Sequence, residues 1–163
     1  MPSVSLKWDI SKKLFSVPVR LSRKISKMGE TSEYTHCDII MHVDTGSGIS
    51  SITDKDAYEL GLDVSSLEKM PIGGIGGLTN TPIAHEITLF FLLINGEPFG
   101  VNMEKISISP DQISNVREKS RGVYKQTNTK IMEIPRLLGL DVIDKMCGVL
   151  ILNLKDKIGE IKF

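Results

Sequence analysis

VDTGSGISSI, residues 43–52, follows directly on EYTHCDIIMHV at residues 33–43, and this junction decides how the chain is read. The eleven residues before Asp44 alternate in the two-residue period of a strand, which sets Cys37, Ile39, Met41 and Val43 toward a core and His36, Asp38 and His42 on the opposite face. Asp44-Thr45-Gly46-Ser47 then reads as a turn, and Ile49 to Ile52 as a second short strand. A carboxylate at a turn directly after a buried strand is held by a rigid element. Gly46 lets backbone amides approach it without a Cβ in the way. Thr45 and Ser47 add hydroxyls able to bond the neighbouring backbone.

Upstream, LFSVPVRLSRKIS at 14–26 is a second strand, joined to the first by a turn-forming SKMGETS, so a hairpin delivers the chain to Asp44. Downstream, Thr53 is placed to cap a short helix opened by Asp54 and closed by Gly61. MPIGGIGGLTNTP at 70–82 is too rich in Gly, Pro, Thr and Asn for a core element and reads as a hairpin tip or loop. EITLFFLLI, Asn95-Gly96 and EPFGVNME form the clearest hairpin signal in the chain. Residues 110–130 turn polar and weakly periodic, a surface insertion holding a short helix or lacking order. The C-terminal third reads as strand, short helix capped by Asp141, strand, turn and strand.

One carboxylate does not suffice for amide hydrolysis by acid–base chemistry alone. One group must take a proton from water while another protonates the substrate carbonyl. Two adjacent aspartates sharing a proton meet that need, because like charges cannot both ionise side by side. Of ten aspartates only Asp44 precedes Thr-Gly or Ser-Gly, so no internal duplication supplies the second. A two-fold partner is then required.

The chain resembles the retropepsin-like aspartic peptidases over roughly residues 14–163. VDTGSGISSI, the Gly-rich PIGGIGG and IPRLLGLDVID carry the resemblance. It implies a mainly β fold, a closed acid-protease barrel with short helices, assembled as a homodimer. Asp44 would be the catalytic aspartate, and Thr45, Gly46 and Ser47 its active-site loop, with Thr45 in the network locking two loops across the dimer axis. Gly73, Gly74, Ile75, Gly76 and Gly77 would form the flap over an extended peptide substrate. Leu137, Leu138 and Gly139 would form the second crossing loop, and Asp141 would be structural. The implied activity is aspartic endopeptidase, with a weakly catalytic dimerisation or peptide-binding module as the alternative.

The rest of the chain bounds these readings. It has 163 residues, suited to one domain, taken here as 14–163 after an extension at 1–13 that a self-processing enzyme would use as a propeptide. Twenty basic and twenty acidic residues cancel, which gives no electrostatic reason for nucleic acid or an anionic membrane as partner. No apolar run reaches the roughly 18 residues of a membrane span. Charges at Lys7, Asp9, Lys12 and Lys13 break any secretory leader, so a cytoplasmic location is expected. Cys37 and Cys147 match no redox or zinc spacing and are expected as reduced, buried thiols; His36, His42 and His85 share no ligand spacing. No metal and no cofactor are expected. His42 is expected at solvent or an interface, and Glu133 with Arg136 as a surface pair.

Overall fold

Residues 14–25 and 33–43 form the central hairpin of the computed structural model, which describes residues 1–25, 32–74, 77–113, 118–120, 123–125 and 132–163. In chain order the elements begin with β1 (Ser3–Asp9), β2 (Leu14–Ile25), β3 (Glu33–Val43), β4 (Ser51–Thr53), α1 (Asp54–Glu59), β5 (Lys69–Gly74), β6 (Gly77–Ala84), β7 (Ile87–Leu92), β8 (Pro98–Met103) and β9 (Ile106–Ser109). They continue with β10 (Gln112–Ile113), β11 (Glu118–Ser120), β12 (Val123–Lys125), β13 (Met132–Glu133), β14 (Leu137–Leu138), α2 (Leu140–Lys145), β15 (Val149–Asn153) and β16 (Ile158–Lys162). The fold is mainly β. Neither helix is long enough to cross a membrane.

Alternation sets the register of the central hairpin. Val17 pairs with Met41, Val19 with Ile39 and Leu21 with Cys37. All six side chains are buried, with Leu21 and Met41 fully enclosed. Each fully buried aliphatic of this kind stabilises by about 1.5–3 kcal/mol, so a slip of one residue, which would turn the whole set outward, is strongly disfavoured. β7 adds to β2 on the other side and brings Ile87, Leu89 and Phe91 into the same core. Its hairpin with β8 turns through Asn95-Gly96 as expected, with Gly96 at φ 86°, a conformation that suits glycine.

The main sheet runs β15-β16-β1-β2-β3-β14-β4-β9-β6-β5, with the β7–β8 pair branching from β2. The expected closed barrel is therefore not formed within the chain: the path has two free ends, at β15 and β5. Closure would need β5 to pair beyond β6, but Pro71 offers no N–H there, and Gly73 and residues 77–80 of the β5–β6 hairpin are exposed. Residues 3–9, read as part of an extension, form β1 between β16 and β2, with Val4 and Leu6 buried.

Several local expectations change. In the polar insertion the described residues pair as two short ribbons, β10 with β13 and β11 with β12, with no helix among them. Cys37 is a buried thiol, but Cys147 is exposed, sitting in the turn that ends α2 with φ 50°. α1 starts as expected, with a reciprocal capping box between Thr53 and Asp56. α2 does not: its N-cap is Gly139, and Asp141 lies inside the first turn, its carboxylate drawn away to Ser50.

Candidate active site

Asp44 leaves the end of β3 at the point where three strands meet. β14 lies between β3 and β4, parallel to the first and antiparallel to the second, with Leu138 opposite Val43 and Leu137 opposite both His42 and Ser51. The Asp44 amide donates to the Leu138 carbonyl at 3.0 Å, and the His42 amide to the Arg136 carbonyl at 2.8 Å. The predicted active-site loop and the predicted crossing loop are thus brought side by side.

Within the loop, the Gly46 amide donates to Asp44 Oδ1 at 2.9 Å. A Cβ at Gly46 would sit 3.2 Å from that same oxygen, tighter than ordinary contact, so glycine gives the amide its approach. The Ser47 amide closes the turn on the Asp44 carbonyl at 3.2 Å, and its hydroxyl donates to the Ile49 carbonyl at 2.6 Å. Asp44 itself is partly exposed, and Thr45 and Gly46 are exposed. The carboxylate is oriented by backbone and still open to solvent.

Ser50 holds the two loops together. Fully buried, it takes a hydrogen bond from the Gly139 amide on its hydroxyl at 2.9 Å and donates that hydroxyl to Asp141 Oδ1 at 2.6 Å. The Ser50 amide donates to Asp141 Oδ2 at 2.9 Å, and the Ser47 carbonyl accepts from the Leu140 amide at 2.9 Å. Gly139 is obligatory in this packing, since a Cβ there would lie 2.9 Å from Asp141 Oδ1, the Ile49 carbonyl carbon and the Ser47 oxygen. Sequence reasoning missed Ser50: its partner is 91 residues away, and nothing local distinguishes it from Ser51.

A second clasp lies behind the loops. Arg136 does not pair with Glu133 at the surface; its guanidinium makes two 2.7 Å bonds to the buried carboxylate of Asp56. Burial pushes the Asp56 carboxyl upward, but hydrogen bonds from Arg136 and from the Thr53 amide and hydroxyl outweigh it and hold its pKa below the ordinary value. His42 is buried, not at solvent, because the end of β1, Lys12 and Arg136 cover that face of β3. Neither ring nitrogen has a hydrogen-bond partner, and Asp9 Oδ2 stands 3.6 Å from Nε2. Burial, then the nearby Lys12 charge, lowers the His42 pKa despite Asp9. Burial, with a hydrogen bond to Glu59, pushes the Cys37 thiol up to about 12, an inert thiol at neutral pH.

The predicted flap region is an antiparallel hairpin, Gly73 opposite Leu78 and Gly74 opposite Gly77; Ile75 and Gly76 lie outside the described residues. Gly77 has φ 104°, which a side chain would strain. Leu78 is 80% exposed, an apolar group left at the surface of this hairpin. A groove of 520 Å³ lies elsewhere, on the outer face of β2, β3 and β7, lined by residues such as Pro18, Asp38 and Phe90 and not by Asp44. Among the described residues, no group of three His, Cys, Asp or Glu side chains is placed to hold a metal ion.

A strand hairpin, an aspartate loop and a second crossing loop joined through β14 define a particular architecture. The chain superposes on the crystal structure of a retropepsin-like aspartic protease from Rickettsia conorii with a TM-score of 0.54 and 14% identity, over 98% of this chain and 89% of that one. The fold is retropepsin-like. No protein-family model matches the chain, and no curated protein matches it. At this identity the likeness concerns architecture, and the chemistry has to be argued from the residues.

Proposed function

We propose that the chain is one subunit of an aspartic endopeptidase in which two copies each contribute Asp44 to a shared site. The observation that carries this reading is the setting of Asp44: a partly exposed carboxylate with the Gly46 amide on it at 2.9 Å, fixed at a three-strand junction of a retropepsin-like fold. Each chain brings one such carboxylate, and acid–base hydrolysis needs two.

In the paired site one Asp44 is ionised and its counterpart holds the shared proton. The ionised carboxylate takes a proton from water as the water oxygen bonds to the peptide carbonyl carbon, and the other delivers its proton to the carbonyl oxygen. Collapse of the resulting diol breaks the C–N bond, with a proton passing to the leaving amine. Only carboxylates and water enter these steps. Thr45, exposed beside Asp44, serves the contact between the two loops. Leu137, Leu138 and Gly139 back the site as the crossing loop. The 73–77 hairpin closes over an extended peptide, whose main chain pairs with the flap and whose alternate side chains fill pockets.

The test is cleavage of a diverse peptide mixture between about pH 4 and 7, the range in which a shared-proton pair is poised, for wild type and Asp44→Asn alongside their sedimentation. The expected outcome is a loss of at least about 100-fold in Asp44→Asn with fold and assembly unchanged. A dimer that cleaves nothing in either form overturns the enzyme reading and leaves a peptide-binding module.

A further inference from the structure

Among the described residues, His42 is the one buried polar side chain whose nitrogens have no hydrogen bond, and its side chain is only 4% exposed. Two clefts meet at its ring. One, of 240 Å³, takes in Lys55, Asp111 and Glu133, the other, of 460 Å³, takes in Asp9 and Asp38, and Lys12, His42 and Arg136 line both. The shared wall therefore presents two cations and an unsatisfied imidazole, and no carboxylate. The bonds to Asp56 occupy Nε and Nη2 of Arg136 and leave Nη1, and among the described residues Lys12 makes no ion pair. The acids of the larger cleft are already engaged. Arg20 holds both oxygens of Asp38, and Asp9 Oδ1 takes the Ser11 and Lys12 amides. Asp9 Oδ2, 3.6 Å from His42 Nε2, is too distant to bond it. A buried polar group without a partner is costly, so a ligand atom that reaches the ring gains from satisfying it.

We infer that the cleft at His42 is a pocket for one carboxylate group, which accepts from Lys12 Nζ, Arg136 Nη1 and an N–H of the His42 ring. Charge selects the ligand. A single negative charge suits the shared wall, whereas Asp111 and Glu133 on one side and Asp9 on the other disfavour a phosphate-like dianion. Size selects it too, because 240 Å³ is below the roughly 300–1,000 Å³ of sites that enclose a drug-sized ligand and suits one small group. The His42 ring, its pKa lowered, is neutral at pH 7 and keeps one N–H to donate. The pocket also lies beside the Asp44 loop. His42 precedes Asp44 by two residues, about 7 Å along the chain, and their amides donate in turn to the carbonyls of Arg136 and Leu138. The carboxylate has two sources: an acidic side chain of the bound peptide, which rests on the paired-Asp44 reading, or a free small acid, which does not.

The test follows the ring signals of the three histidines by NMR in the full chain at pH 7. The probes are N-acetylglutamate α-amide and, as its uncharged counterpart, N-acetylglutamine α-amide. The His42 signal should move saturably with the first and stay in place with the second, while His36 and His85 respond to neither. Lys12→Glu should weaken the response by at least about 10-fold with the circular dichroism spectrum retained, and Lys12→Arg should restore it. No saturable shift at His42, an equal response to both compounds, or a Lys12→Glu chain that binds like the wild type overturns the pocket and leaves a cleft that holds water only. Cleavage separates the two sources. A kcat/KM at least about 10-fold higher for peptides with glutamate rather than glutamine near the cleaved bond, lost in Lys12→Glu, assigns the carboxylate to the substrate. A His42 response without that preference assigns it to a free acid. The pocket and the aspartate pair fail separately. A His42 response in a chain that cleaves nothing removes the pair alone, and Asp44-dependent cleavage with a silent His42 removes the pocket alone.

Discussion

Replacing Arg136 by methionine tests what holds the back of the site together. Asp56 is 1% exposed, and its carboxylate takes both guanidinium bonds at 2.7 Å and the Thr53 amide at 2.9 Å. Methionine keeps much of the packing volume and removes the cation, leaving a buried carboxylate with only its capping contacts. Breaking such a pair from one side costs about 3–5 kcal/mol, a large share of the 5–15 kcal/mol typical of a domain. At this size that corresponds to a fall in Tm of roughly 6–20 °C. Urea unfolding followed by circular dichroism at pH 7 reads it directly. The pH dependence supplies the decisive sign. In the wild type the Asp56 pKa is held below its ordinary value, so its stabilisation is present above the unfolded pKa and is lost as pH falls through the folded one. In Arg136→Met burial dominates and raises it, so the folded chain binds a proton that the unfolded chain does not. The deficit against wild type should then shrink as pH falls from 7 toward about 4. Arg136→Met combined with Asp56→Asn should recover at least about 1 kcal/mol by removing the stranded charge. A loss under about 1 kcal/mol in the single variant, or a deficit that widens in acid, refutes the account.

Three further outcomes follow from the loops themselves. Gly139→Ala drives a Cβ to 2.9 Å from the Ser47 and Asp141 oxygens and should cost about 1–3 kcal/mol in urea unfolding, with peptide cleavage falling as the Asp44 loop shifts. Ser50→Ala leaves the Gly139 amide without its acceptor and Asp141 Oδ1 with the Val142 amide alone, and should cost a similar ~1–3 kcal/mol; an effect below about 0.5 kcal/mol in the same measurement would contradict the clasp. His42 has a folded pKa depressed below 6.5, so the folded chain binds fewer protons and stability declines as pH falls through that value. His42→Leu removes two unpartnered buried nitrogens and should flatten this decline at little cost at pH 7, visible in unfolding free energies measured between pH 7 and 5.

The parts of the fold legible in the sequence are those whose cause lies within a few residues. Val17, Val19 and Leu21 announce a strand face by their own spacing, Thr53 and Asp56 announce a helix start three residues apart, and Asn95-Gly96 announces its turn unaided. Asp44 and Gly46 belong to the same class, because the amide that orients the carboxylate is two residues on. The misread residues have partners far along the chain. Read locally, Arg136 falls beside Glu133, yet it pairs with Asp56 80 residues away; Asp141 reads as the cap of its own helix, yet it bonds Ser50 91 residues away. His42 has a polar strand-face position and is buried because β1 and the approach to β14 cover it. The open barrel has the same origin, since which strand meets which across 80 residues leaves no periodic trace.

These long-range contacts divide the work at the site in a consistent way. The loop of residues 44–47 orients its own carboxylate by local bonds, so it needs no tertiary help to form a turn, but a turn alone would not be fixed relative to the rest of the protein. Position comes from β14, threaded between β3 and β4 and held by Arg136 on Asp56 at one end and by Gly139 and Asp141 on Ser50 at the other. Both clasps use buried charged or hydroxyl groups in multiple bonds, arrangements that are costly if half-made and therefore rigid when complete. The proposed pairing of Asp44 with its counterpart across a two-fold axis would demand this rigidity, because play in each loop adds to the separation of the pair.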